Sequence, residues 1–138
     1  MARRLALQAL YQWQMTGYSA TEILDQFEKD RDYHKADAAF FDELVRGVIS
    51  RQPELDGQLA AYLPRDIELI DAIERAVLRL AAYELATHQE TPYRVVLNEA
   101  IGLTKVFGAV GAHKFVNGVL DKLWRQLRPM EARLEAKS

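Results

Sequence analysis

The stretch from Ile67 to Ala86 narrows the possible folds more than any other part of the chain. It reads IELIDAIERAVLRLAAYELA and is apolar over most of a helical circumference. A helix without a broad polar face belongs inside a protein, covered by other elements. Its expected exposed strip is Glu68, Asp71, Arg75 and Arg79, with Asp71 and Arg75 in the favourable i,i+4 order. Glu74 and Glu84 fall instead in the apolar sector beside Ile70, Ile73, Val77 and Ala81. A carboxylate placed there needs a partner or a shifted pKa. For Glu84 we expect an arginine from another helix; for Glu74 an internal partner and a basic group on another molecule are equally open.

The remaining segments supply the cover. Residues 2–15 predict a helix stopped by Gly17, with Leu5, Ala6, Ala9, Leu10 and Trp13 on its buried face. Ser19 and Glu22 form a capping box for a second helix carrying Ile23, Leu24 and Phe27. The charge-dense run from Glu28 to Lys35 reads as a solvated loop. A third helix is expected from Ala36 to about Arg51, with Phe40, Phe41, Leu44, Val45, Val48 and Ile49 on its apolar side. Pro53 suits the first turn of a fourth, which carries Leu55, Leu59 and Tyr62 and stops before Leu63-Pro64.

Thr91 and Pro92 predict the start of a sixth helix, with Val96, Leu97, Ala100, Ile101, Leu103 and the last residue Phe107 inward and Gly108 as its stop. A seventh follows with Val116, Val119, Leu120, Leu123, Trp124 and Leu127 as its core stripe, and Pro129 is expected to end regular structure before a polar tail over 129–138. Nothing shows the period-2 alternation of a half-buried strand, so the expected fold is all-α with about seven helices. The boundaries are an N-terminal bundle over about 2–51 and a C-terminal bundle over about 53–127, within a single domain spanning 1–138.

Several kinds of chemistry are excluded by residue content. The 138-residue chain has no cysteine, which removes disulfides, thiol nucleophiles and zinc-thiolate sites. His34, His88 and His113 sit on separate segments without metal-ligand spacing, and there is no glycine-rich phosphate loop or nucleophile elbow. We therefore expect no enzyme, no metal and no cofactor. No run approaches the roughly 18 apolar residues of a membrane span, and the N-terminus lacks the apolar core of a signal peptide. A cytoplasmic protein is expected.

Two surface stripes carry a more specific message. Phe115 falls outside the core sector of its helix, next to Lys122, with Lys114 and Arg125 further round. Arg4, Gln8, Tyr11 and Met15 recur at i, i+4, i+7 and i+11 on the first helix, away from its core face. Aromatic rings among cations and amides are what single-stranded nucleic acid uses, rings for bases and cations for phosphates. A neighbouring helix covering either ring is the plain structural alternative. Arg94, Asn98 and Lys105 share an outer stripe on the sixth helix and extend the basic surface if they lie near Lys114 and Phe115. The net charge of -2 argues mildly the other way. Arg3 and Arg4 stand directly behind Met1 and Ala2 in helix-like sequence, and we expect a longer basic arm ahead of them.

The segments LALQALYQWQ, FFDELVRGV, IERAVLRLAAYEL, PYRVVLNEAI and FGAVGAHKFVNGVLDKL resemble the NusB family in order and spacing, over nearly everything from Ala2 to Leu127. The resemblance implies an all-helical protein of two packed bundles that binds boxA RNA together with NusE, a small-subunit ribosomal protein. Such a pair joins other Nus factors on RNA polymerase and suppresses termination on ribosomal RNA operons. It also implies that the basic N-terminal arm, Tyr11, Lys114 and Phe115 lie on the RNA side and Glu74 on the NusE side. Together with the stripes above, the expected RNA-binding set is Arg3, Arg4, Gln8, Tyr11, Arg94, Lys105, Lys114, Phe115 and Lys122.

Relatives often carry acidic residues where this chain has Val110 and Gly111, so no contact is carried over there. Related domains also precede methyltransferase domains in ribosomal RNA cytosine methylases; the absence of a cofactor loop here favours a free-standing factor. The alternatives are a protein–protein adaptor with little RNA binding of its own and a homodimer that masks the RNA face.

Overall fold

The computed structural model describes residues 1–30 and 33–137. Among them the chain forms helices and no strand: α1 (Ala2–Thr16), α2 (Ala20–Phe27), α3 (Ala38–Ser50), α4 (Gln52–Ala60), α5 (Ala72–Thr87), α6 (Tyr93–Phe107), α7 (Ala112–Leu127) and α8 (Pro129–Ala136), with 3-10 turns at Tyr33–Lys35 and Ile67–Leu69. None of these helices is long and apolar enough to cross a membrane. Of the expected charged loop, Glu28, Lys29 and Asp30 are exposed, while Arg31 and Asp32 lie outside the described residues.

Local chemistry sets most of the boundaries. The Ser19 hydroxyl accepts from the Glu22 N–H and the Glu22 carboxylate accepts from the Ser19 N–H, both at 3.2 Å, which closes the capping box. Gly17 ends α1 at φ 72°, in the left-handed region that only glycine enters freely. Asp37 caps α3 by accepting from the Phe40 N–H at 3.0 Å, so that helix begins at Ala38 rather than Ala36. At α6 the start also moves inward, to Tyr93 with Pro92 at the cap.

α5 is the central rod. Every residue from Ala76 to Leu85 is buried, and α1, α3, α4, α6 and α7 all pack on it. Its start differs from the expected one. Ile67–Leu69 is a separate 3-10 turn, and Asp71 is the N-cap, accepting from the N–H groups of Ile73 (3.0 Å) and Glu74 (3.4 Å). This capping replaces the expected Asp71–Arg75 pair; Arg75 Nη1 donates to the Glu68 carbonyl at 3.1 Å instead. Nor is Arg79 on an exposed strip. Only 3% exposed, it donates to both carboxylate oxygens of Asp56 at 2.8 Å and to the Gln14 side-chain oxygen at 2.9 Å. A charge that deep is tolerable only with such full pairing.

α8 corrects the expected tail. Pro129 does not end regular structure; it opens a last helix, where its missing N–H would be unpaired in any case. The residue before it is the reason α8 docks. Arg128 is buried, and its guanidinium donates to the carbonyls of Leu85 (2.9 Å), His88 (2.8 Å) and Glu84 (3.3 Å) at the end of α5, and to the Glu131 carboxylate at 3.0 Å. Those carbonyls also accept from the His88 N–H, the Thr91 N–H and the Gln89 side-chain amide, and Arg128 adds a charged donor to each, which anchors α8 to the end of the rod. Glu131 also accepts from the Tyr93 N–H at 2.9 Å, while the Tyr93 ring stacks on buried Trp124 at 3.6 Å between centroids.

Candidate nucleic-acid interface

The outer strip of α1 is narrow. Leu5, Ala6 and Leu7 are consecutive and all buried, so the covered arc spans roughly 200° at about 100° per residue. What remains is the expected line: Arg4 is exposed, Gln8 half-buried, Tyr11 37% exposed and Met15 59% exposed. Arg3 lies within the covered arc, one turn before Leu7. Its guanidinium donates to both oxygens of buried Glu84, at 2.8 and 2.6 Å, and lies over the Phe40 ring. Glu84 thus has its arginine from another helix. The same pair ties Arg3 to the central rod, with its side chain 23% exposed.

The second group surrounds the turn between α6 and α7. α6 ends at Phe107, whose ring is partly buried against the core. Gly111, at φ 84°, redirects the chain into α7. Lys114 is exposed in the first turn of α7, and Phe115 sits at the edge of the core with part of its ring open. Lys122 follows two turns later on the same side, with Gly118 between them and nothing within 4 Å of where a Gly118 Cβ would stand. That leaves open helix surface between ring and cation. Lys105 is exposed in the last turn of α6. The Arg4 guanidinium lies 5.5 Å from the centre of the Phe107 ring, which brings the α1 strip up to this turn.

Ion pairing divides the expected cations. Arg3 is bound to Glu84, and Arg94 donates to the carboxylate of Glu135 on α8 and to the Tyr93 hydroxyl at 3.1 Å. Arg94 also lies at the opposite end of α6 from Lys105, roughly 16 Å away at about 1.5 Å of rise per residue. Arg4, Lys105, Lys114 and Lys122 have no carboxylate partner among the described residues. Cations without a carboxylate partner on the α1 strip, at the α6–α7 turn and along α7, with two partly open rings, make an anionic and unsaturated ligand the natural fit.

Glu74 marks a different face, at the start of α5. Its carboxylate is half-buried and has no hydrogen-bond or ion-pair partner among the described residues. Burial raises its pKa, the nearby Asp71 raises it further, and Arg65 opposes both. A basic group from outside would relieve that state. No group of three or more His, Asp or Glu residues among those described could hold a metal ion. Sequence reasoning missed Arg128, whose buried guanidinium reaches the end of α5, and the contact of the Arg4 guanidinium with the core-packed Phe107 ring.

The family model for NusB matches residues 1–125 of the chain. The chain belongs to the NusB family. The transcription antitermination protein NusB of Alcanivorax borkumensis is 52% identical over 131 residues, covering 95% of this chain and 87% of that protein. The protein of the same name from Xanthomonas campestris is 53% identical over 131 residues, covering 95% of this chain and 82% of its own length. In structure the chain is similar to T. maritima NusB, with a TM-score of 0.83 at 26% identity over 96% of this chain and 94% of that one. A NusB crystallised with NusE and double-stranded RNA gives a TM-score of 0.75 at 26% identity, over 91% of this chain and 94% of its own. The NusB fold therefore extends across the α1 strip, the α6–α7 turn and the α5 start.

Proposed function

We propose that this chain is a non-enzymatic, cytoplasmic transcription antitermination factor that binds boxA-type RNA jointly with NusE, and through it the other Nus factors and RNA polymerase. The observation that carries the reading is the division of its cations: Arg4, Lys105, Lys114 and Lys122 have no carboxylate partner among the described residues, while Arg3 and Arg94 are ion-paired. Arg4, Lys105, Lys114 and Lys122 would hold phosphates, with Gln8 donating alongside, and Tyr11 and Phe115 would stack on unpaired bases. Arg94 contributes only if it leaves Glu135. Glu74, half-buried and unpartnered, would face a basic group of NusE.

The helices divide in this reading into two bundles, α1–α3 and α4–α7 with α8 appended, and α5 serves both. The test is fluorescence anisotropy with labelled boxA-type RNA, a scrambled strand and a duplex, each with and without NusE, at two salt concentrations. Binding selective for the boxA strand, tighter with NusE and weaker in salt, supports the proposal. Equal binding of strand and duplex removes base stacking from it, because paired bases offer no open face to a ring. Absent selectivity with NusE still bound would leave the adaptor reading, which the unpartnered Glu74 favours.

A further inference from the structure

We propose that Phe107 is a positioning residue for RNA binding, its ring holding the Arg4 guanidinium ready at the α6–α7 turn. The inference rests on the RNA-binding reading above and adds to it a residue that touches no RNA itself. The guanidinium carbon of Arg4 lies 5.5 Å from the ring centre, inside the roughly 6 Å over which a ring face attracts a cation. A ring orients a guanidinium without neutralising it, because its quadrupole carries no net charge. Arg4 therefore keeps its full charge and its N–H donors, whereas Arg3 has given its own to Glu84.

Both ends of the contact are fixed. Phe107 is packed against the core. The residue after it, Gly108, donates its N–H to the carbonyl of buried Thr104 at 2.8 Å, and Thr104 in turn donates its hydroxyl to the Ala100 carbonyl at 2.8 Å. On the other side, the Arg3–Glu84 pair sets the rotation of the first turn of α1, and Arg4 follows about 100° further round. A long cationic side chain that is already placed loses less freedom on binding than one that must be ordered. Phe107 ends α6 a short turn before Lys114 and Phe115 in α7, so the contact brings Arg4 of α1 to the α6–α7 turn.

A double-mutant cycle tests this with the full chain, NusE present and labelled boxA-type RNA as probe: Phe107→Leu, Phe107→Tyr, Arg4→Met and Arg4→Met with Phe107→Leu. We expect Phe107→Leu to weaken binding about two- to fivefold, Phe107→Tyr to rescue it by keeping a ring, and Phe107→Leu to add nothing in the Arg4→Met background. An equal loss in both backgrounds makes Phe107 a packing residue only and overturns the inference, as does no loss at all. Failure of the unmodified chain to bind RNA overturns the underlying reading, and this inference with it; intact binding with no coupling overturns this inference alone.

Discussion

Arg3 and Glu84, 81 positions apart, close on each other through two hydrogen bonds, Nε to Oε1 at 2.8 Å and Nη2 to Oε2 at 2.6 Å. The carboxylate is 2% exposed and the guanidinium 23%, so the pair pins α1 to the central rod while keeping a charge-bearing edge near solvent. Hydrogen bonding to Glu84 holds the Arg3 pKa above its ordinary value.

Removing the arginine strands the carboxylate. Arg3→Ala is expected to destabilise the fold by about 3 kcal/mol, since the remaining cationless Glu84 is buried. The measurement is the urea midpoint, and replacing both partners by apolar residues should recover much of the loss. Unchanged stability with a large loss of RNA affinity would return Arg3 to the phosphate surface.

Arg128 predicts a second large effect. Its guanidinium satisfies carbonyls of Glu84, Leu85 and His88. Each carbonyl has a second donor, the His88 N–H, the Gln89 side-chain amide and the Thr91 N–H respectively, so Arg128→Ala does not strand them. It removes the charged hydrogen bonds that tie them to α8, which costs about 2–3 kcal/mol, and it releases α8. Hydrogen exchange over residues 129–137 would report the release directly, and full protection there in the variant would contradict the clamp.

His88 makes stability depend on pH. Its Nε2 lies 2.6 Å from a Glu43 oxygen and its Nδ1 2.7 Å from a Glu90 oxygen, so both nitrogens donate only in the charged ring. Burial opposes that charge, but the hydrogen bonds to Glu90 and Glu43 outweigh it and hold the pKa above the ordinary histidine value. The stabilisation is therefore full below the unfolded pKa of about 6.5 and is lost as pH rises through the higher folded value. Urea midpoints measured from pH 6 to pH 8 should fall more steeply for the unmodified chain than for His88→Gln; parallel curves would exclude the clasp.

Glu74 separates the two surfaces. Its raised pKa reflects burial first and Asp71 second, with Arg65 opposing. Pairing with a basic partner requires the ionised form, so NusE association is expected to weaken as pH falls through that pKa. Glu74→Lys should abolish NusE binding and leave RNA affinity of the free chain unchanged. Unaffected NusE binding would remove Glu74 from the interface.

Periodicity carried the architecture: α1 through α7 lie where their apolar stripes put them, and the run through Leu80 is buried as its circumference demands. It failed where one residue had two readings. Pro129 can end a helix or begin one, and the choice depends on Arg128 finding carbonyls far away in sequence. Asp71 can pair at i+4 or cap, and the backbone turn before it decides. Among the candidate site residues, Arg3 could have been placed from the wheel alone, since it shares the line of Leu7 and Leu10. The ties of Arg94 to α8 could not, because a helix after Pro129 was not expected.

The most direct test of the RNA surface is the affinity of Tyr11→Ala and Phe115→Ala for boxA-type RNA with NusE present. Each partly open ring is expected to contribute about 1–3 kcal/mol, so each variant should bind at least several-fold more weakly, with NusE binding retained and the salt dependence unchanged. Wild-type RNA affinity in both variants would contradict stacking at these two rings and, with it, the surface assigned here.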